Sequence, residues 1–163
     1  MKVRTLTILA LAAAAWLAVG CGFQLRGHIE LSPAMRAPYL EAPDRYTALY
    51  AELTAALEAA GAKLAPSRES ASAVIHVHVD ESGRDVLSVS ARNTPQEYEV
   101  FYTIEYSVTA GEHELLPRQS RTVARDYAYD DRAVIAMQNE ERKLREALAR
   151  DLASIVMRRL MTL

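Results

Sequence analysis

Apolar positions along the chain recur with two different spacings, and these spacings predict two helices and four strands. From Asp44 to Gly61 the spacing is helical, with Asp44 expected as the N-cap and Gly61 as the C-terminal stop. From Ala73 onward the period is two, which predicts three long strands. A short strand over residues 38–42 is expected before the first helix, because Pro43 ends the extended run.

The long strands each show one apolar and one polar face. In the first of them the expected apolar residues are Ala73, Ile75, Val77, Val79, Leu87 and Val89. The expected polar residues are His76, His78, Asp80, Ser88 and Ser90. Gly83 interrupts this run and is a candidate bulge or bend. Such alternation is typical of an antiparallel sheet that is packed on one side and wet on the other.

The second long strand alternates most cleanly, over residues 97–108, and turns are expected at residues 92–95 and 110–113. A fourth strand should run from about residue 118 to 129. Five tyrosines lie on these strands: Tyr98, Tyr102, Tyr106, Tyr127 and Tyr129. They suggest either a stacking surface for glycans or core packing. Alternation with Val100 and Ile104 favours core packing for the first three.

A last helix is expected from about residue 132 to 161, with Asp130 or Asp131 as its N-cap. Its apolar stripe is Val134, Met137, Leu144, Leu148, Leu152, Ile155 and Leu160. The order β-α-β-β-β-α lets two helices cover one face of a single sheet. The sequence therefore predicts an α+β fold, a two-layer sandwich of two helices on a four-stranded, mostly antiparallel sheet whose other face is polar.

An apolar leader that ends at Cys21, the single cysteine, predicts a bacterial lipoprotein. Lys2 and Arg4 supply the positive start, residues 5–19 are mostly apolar, and residues 17–21 read LAVGC. A transmembrane anchor is disfavoured because spanning needs about 20 apolar residues. We expect a signal peptide at residues 1–20, an acylated Cys21 on a tether at 21–36, and one domain at 37–163. Gly22 in place of aspartate favours the outer membrane.

Composition narrows the classes of function. The 163 residues carry a formal net charge of −2, which is not the basic balance of a nucleic-acid-binding protein. One cysteine builds no disulfide framework. The charged residues of the leader are all basic, so removal of the leader makes the net charge of the mature domain more negative. We expect one ordinary domain with a single core and no nucleic-acid partner.

Two clusters of polar residues are candidates for chemistry. His76 and His78 point the same way on a strand and would form half a zinc site, but no third ligand lies nearby in sequence, so solvent-facing histidines are favoured. Glu97, Glu99 and Glu105 share a face and would offer a carboxylate pair, yet a charged strand face is the more ordinary interpretation. The sequence has no nucleophile motif and no phosphate-binding loop. We therefore expect no enzyme, no cofactor and no metal.

Arginines are the better candidates for binding. Arg84 and Arg92 approach the first hairpin, and three more lie on the last strand: Arg118, Arg121 and Arg125. The arginine fork matches phosphate geometry. Pairing with neighbouring glutamates is the open alternative for each of them.

Five short segments, in order along the chain, resemble one known family. They are residues 21–27 (CGFQLRG), 88–90 (SVS), 97–100 (EYEV), 125–130 (RDYAYD) and 139–141 (NEE). Together they make the chain similar to the LPS-assembly lipoprotein family LptE over nearly the whole mature part.

The resemblance implies a non-catalytic lipoprotein of the outer membrane that plugs the lumen of the β-barrel LptD and assists lipopolysaccharide transport to the cell surface. It also implies the two-layer fold and lipopolysaccharide binding through a basic residue at the hairpin tip, where Arg92 lies. A second basic residue is expected early in the last helix, and Met137 stands in its place. Two alternatives remain: a scaffold lipoprotein of another envelope complex, and a periplasmic hydrolase that uses the glutamate-bearing strand.

Overall fold

The computed structural model describes residues 31–163, so the leader, Cys21 and the first part of the tether lie outside the described residues. The elements are β1 (Pro38–Glu41), α1 (Ala48–Ala59), β2 (Ala73–Val89), β3 (Pro95–Ala110), β4 (His113–Ala128) and α2 (Val134–Leu160). The strands form one open sheet in the order β1-β2-β3-β4. β1 runs parallel to β2, and the other pairs are antiparallel. This arrangement confirms the predicted fold.

One core lies between the sheet and the two helices. α1 buries Leu49, Leu53 and Leu57, which recur every fourth residue and so share one face. The buried side chains of α2 are Leu148, Ala149, Leu152, Ala153, Val156, Met157 and Leu160. The buried side chains of β3 include Val100, Tyr102, Ile104, Tyr106 and Val108. The predicted core tyrosines Tyr102 and Tyr106 are therefore confirmed. Met35, in a single 3₁₀ turn before β1, is also buried in this core.

The first helix begins three residues later than predicted. Thr47, not Asp44, is the N-cap, because its Oγ1 accepts the backbone N–H of Tyr50 at 3.1 Å. Asp44 instead accepts the N–H of Tyr46 in the preceding turn. The C-terminal prediction is confirmed: Gly61 has a φ of +91°, and its N–H donates to the carbonyl of Glu58.

The last helix has no capping side chain at Ala133, so the predicted cap by Asp130 or Asp131 is wrong. Asp130 Oδ1 accepts the N–H of Arg132 at 2.9 Å, and the carbonyl of Asp130 accepts the N–H of Ala133. Asp130 therefore closes a turn before the helix. The helix itself starts at Val134, two residues later than expected.

A β-bulge at His78 reverses the faces of β2 from Val79 to Val86, where a second register shift follows. The register passes from Val77 opposite Tyr106 to Val79 opposite Glu105, which leaves His78 unpaired. Val79 consequently lies on the outer face and Asp80 on the helix side, the reverse of the prediction. Asp80 accepts hydrogen bonds there from the hydroxyls of Thr47 and Tyr102. Burial, and then the bond to Asp80, raise the pKa of Tyr102 well above its ordinary value.

No bulge occurs at Gly83, which pairs directly with Phe101. A Cβ at Gly83 would lie 2.4 Å from the end of the Phe101 ring. The glycine is there because an aromatic ring of the neighbouring strand packs against the backbone.

Candidate functional site

The loop between β2 and β3 is a tight, internally bonded turn. The N–H of Ser90 donates to the carbonyl of Thr94 at 2.8 Å, and the N–H of Asn93 donates to the carbonyl of Ser90 at 2.9 Å. Ser90 Oγ accepts the N–H of Arg92 at 3.2 Å. Asn93 takes a φ of 59°, a conformation that asparagine tolerates better than most residues. Arg92 is exposed at this tip and projects from an ordered support.

A cleft of about 420 Å³ lies beside the hairpin tip. It is lined by Ser90, Arg92, Thr94, Pro95, Gln96, Tyr129, Asp130, Asp131 and Arg132. The end of β4 reaches the hairpin because the N–H of Tyr129 donates to the carbonyl of Gln96 at 2.7 Å. The cleft therefore joins Arg92 to Arg132, a residue that sequence reasoning missed. The antiparallel pairing of β3 with β4 brings Tyr129 back to the hairpin, and this pairing is the signal that could have placed Arg132 there.

Arg84 is held by the protein itself. Its Nη1 lies 2.6 Å from Glu141 Oε2, and its guanidinium carbon lies 4.6 Å from the centre of the Tyr98 ring. Glu141 is half-buried and also accepts from Arg145 and from the hydroxyl of Tyr127. The hydrogen bond with Tyr127, together with the charge of Glu141, raises the pKa of Arg84. Arg84 therefore ties the sheet to α2.

The strand arginines also contact nearby acceptors. Arg118 pairs with Glu105 at 2.6 Å, and Arg125 pairs with Asp151 of α2 at 2.7 Å. Arg121 donates to the carbonyl of Ser120 and to Gln119 of its own strand. Among residues 31–163, Arg92 is thus the one predicted arginine whose guanidinium makes no hydrogen bond or ion pair.

Three tyrosines cluster under the hairpin end. Tyr98 stacks on Tyr127 at 5.8 Å and meets Tyr129 edge-on at 5.2 Å. All three are half-buried, so Tyr98 is less buried than predicted. Large apolar side chains are exposed on the hairpin and at the start of α2: Val86, Leu87, Val89, Val134 and Ile135. This end of the domain combines apolar surface with the cations of the cleft.

The two strand histidines are bonded to protein groups. His76 Nδ1 lies 2.6 Å from Glu41 and Nε2 lies 3.0 Å from Thr109 Oγ1. His78 is exposed, with Nε2 at 2.9 Å from Ser107 Oγ. In the part of the chain that the structure describes, no group of three or more histidine, cysteine or carboxylate side chains is arranged to hold a metal.

The glutamates of β3 do not act as one group. Glu105 is paired with Arg118, whose hydrogen bond lowers the pKa of that carboxyl. Glu97 accepts a hydrogen bond from Ser88 at 2.7 Å. Glu99 stands opposite Asp85 and Asp126 on the adjacent strands.

Fold and site together define a two-layer α+β domain that presents a polar cleft with two arginines at one end of a long sheet. Neither helix within residues 31–163 is long and apolar enough to cross a membrane. A family profile described as "LptE: Lipopolysaccharide-assembly" matches residues 35–160. The chain therefore belongs to the LptE family, whose role is lipopolysaccharide assembly.

Solved structures of lipoproteins share the fold. A lipoprotein B from Nitrosomonas europaea has a TM-score of 0.70 at 24% identity, covering 84% of this chain and 88% of its own. The rare lipoprotein B from Shewanella oneidensis has a TM-score of 0.68 at 21% identity, covering 77% and 94%. A minor lipoprotein from Acinetobacter baumannii has a TM-score of 0.66 at 22% identity, covering 78% and 92%. None of the curated proteins matches the sequence.

Proposed function

We propose that this protein is a non-catalytic, lipid-anchored component of the outer membrane whose domain lodges in the LptD barrel and assists lipopolysaccharide transport. Membership of a lipopolysaccharide-assembly family supports the process. The LAVGC sequence at the end of the leader supports anchoring through Cys21. The barrel partner is carried over from the family resemblance.

The observation that carries lipopolysaccharide binding is Arg92. Its guanidinium stands at a rigid hairpin tip, lines a cleft and has no protein partner within residues 31–163. Lipid A and the inner core carry phosphates, and an arginine fork binds phosphate through two parallel hydrogen bonds. The exposed apolar residues at the same end offer a surface for acyl chains.

The test is lipopolysaccharide affinity of Arg92→Gln. One charge-assisted hydrogen bond contributes about 1.5–3 kcal/mol, so the variant should bind roughly tenfold more weakly or worse. Arg142→Gln is the matched control, because Arg142 is exposed and its one side-chain hydrogen bond within residues 31–163 is to Asn139. Circular dichroism should show both variants folded. Equal affinity of Arg92→Gln and the parent would remove the hairpin tip from the binding site.

Anchoring and the partner have their own tests. Mass spectrometry of the mature protein should find an acylated Cys21 with no residue before it. Purification in mild detergent should recover a stable one-to-one complex with LptD, and the complex should resist protease at loops that are cut in the free domain. A soluble, unmodified Cys21 would contradict anchoring. Recovery of a different envelope complex would favour the scaffold alternative.

A further inference from the structure

The outer face of the sheet carries three carboxylates side by side. In the strand register, Asp85 of β2 lies directly opposite Glu99 of β3, and Glu99 lies directly opposite Asp126 of β4. Directly opposed residues of neighbouring strands point to the same face. This face is the one opposite the helices, because Glu99 alternates with the buried Val100. We call Asp85, Glu99 and Asp126 the carboxylate row.

The carboxylate row has no compensating cation in the described chain. None of its three members takes part in an ion pair or a side-chain hydrogen bond within residues 31–163. The exposed Glu81 adds charge to the same face, four residues before Asp85. Like charges directly opposite one another destabilise a sheet. The row therefore works against the isolated fold, and an external cation would relieve it.

An aromatic platform adjoins the row. Gly83, Phe101 and Ala124 pair across the same three strands, two residues away from the carboxylates. The Phe101 ring lies against the backbone of Gly83, which fixes one side of it. Phe101 is only half-buried, so the rest of the ring reaches the surface. The small side chain of Ala124 leaves the neighbouring side of the ring uncovered.

We propose that this outer face docks on a protein surface that carries arginine side chains. A guanidinium stacks on an aromatic ring and at the same time pairs with carboxylates through its fork. Phe101 and the carboxylate row offer these two contacts at adjacent positions. The inference rests on the proposed function, since the surface expected to contact this outer face is the wall of the barrel partner around the domain.

Charge separates this surface from the lipopolysaccharide site. Phosphates of lipopolysaccharide would meet the carboxylate row on the outer face, and like charges disfavour such a contact. The cleft at the hairpin end is lined by Arg92 and Arg132 as well as by Asp130 and Asp131, and the guanidinium of Arg92 makes no ion pair within residues 31–163. One face therefore suits the protein partner and one end suits the anionic glycolipid.

The experiment compares two full-length triple variants with equal changes in charge. The first is Asp85→Asn with Glu99→Gln and Asp126→Asn. The control is Glu58→Gln with Glu112→Gln and Glu140→Gln, three exposed residues without ion pairs in the described chain. Each lipidated protein is titrated against the purified barrel at low and at moderate salt. The row variant should bind at least tenfold more weakly and lose most of its salt dependence, whereas the control should match the parent.

Separate outcomes test the proposed function and the docking face. If the parent does not bind the barrel, the proposed function and this inference both fail. If the parent and the row variant bind equally, only the docking face is wrong. Phe101→Leu should also weaken binding, because leucine keeps apolar volume but offers no ring to stack on. The row variant should melt no lower than the parent, so lost binding would not reflect unfolding. A melting point raised by Ca²⁺ in the parent alone, with unchanged barrel binding, would replace the docking surface with a cation site.

Discussion

Arg84 should behave as a structural residue, in contrast to Arg92. Replacing Arg84 with glutamine removes the ion pair with Glu141 and the stacking on Tyr98, and these contacts join β2 to α2 and β3. Glu141 keeps Arg145 as a partner, so the glutamate is not left wholly uncompensated. We expect Arg84→Gln to lower stability while leaving lipopolysaccharide affinity close to that of the parent.

The magnitude follows from the exposure of the two partners. A hydrogen bond to a charged group contributes about 1.5–3 kcal/mol, and a cation–π contact at an exposed site about 0.5–1 kcal/mol. The side chain of Arg84 is 42% exposed, so solvent screening places the sum at the lower end. We expect a loss of about 2 kcal/mol in the free energy of unfolding. For a domain of this size that loss corresponds to roughly 6–10 °C in melting temperature.

The assay is thermal and urea unfolding of four proteins: the parent, Arg84→Gln, Glu141→Gln and the double variant. The double-mutant cycle should give a coupling energy of about 1 kcal/mol or more, because the two side chains form a direct pair. Arg92→Gln is the control and should have the melting temperature of the parent, since the Arg92 guanidinium makes no hydrogen bond or ion pair within residues 31–163. A parent-like melting temperature for Arg84→Gln, combined with lost lipopolysaccharide binding, would refute this assignment and return Arg84 to the binding site.

Three further predictions concern the frame that holds the site. Thr47→Ala should lower the free energy of unfolding by about 1–2 kcal/mol in urea titration, because Thr47 both caps α1 and donates to Asp80, while Thr47→Ser should restore most of it. Partial burial opposes ionisation of Glu41, but hydrogen bonds from Arg68 and His76 outweigh it and lower its pKa. The stabilisation from Glu41 is therefore present above its ordinary pKa of 4.5 and is lost as pH falls through the lowered folded-state pKa. Glu41→Gln should remove this loss and so flatten the acid side of a curve of unfolding free energy against pH. Gly83→Ala should destabilise by about 1 kcal/mol through the collision with Phe101, and adding Phe101→Ala should remove that collision; a fully parent-like Gly83→Ala would contradict the close packing.

Periodicity was sufficient to predict the fold because one face of each long element is packed and the other is wet. The apolar alternation of β3 and the four-residue spacing of α1 each report one buried side. These signals are local, so a single sequence carries them. Helix ends are less readable: Asp44 and Thr47 are both good N-caps, and Thr47 has in addition a hydrogen bond to Asp80, 33 residues away, that local sequence does not reveal.

The bulge at His78 lies beyond such reasoning. Alternation in β2 continues unbroken in sequence through Val77 and Val79, yet the extra residue reverses the faces from Val79 to Val86. The reversal places Asp80 under the helices, where Thr47 and Tyr102 satisfy its carboxylate. A partly buried carboxylate would be costly without such partners, so the bulge and its hydroxyl donors belong together. That relation joins three elements and has no local signature.

The arginines show how the same limit applies to a binding site. In sequence the five candidates are equivalent cations, and what separates them is whether another part of the chain already occupies the guanidinium. Arg84 finds Glu141 at a separation of 57 residues, and Arg125 finds Asp151 at 26. Arg92 sits in a loop whose own hydrogen bonds span four residues or fewer, so the shape of its support is readable from local sequence, whereas the distant residues of its cleft are not. A cation that makes no ion pair within residues 31–163 is available to an external anion, which is the physical reason to expect the ligand at the hairpin tip.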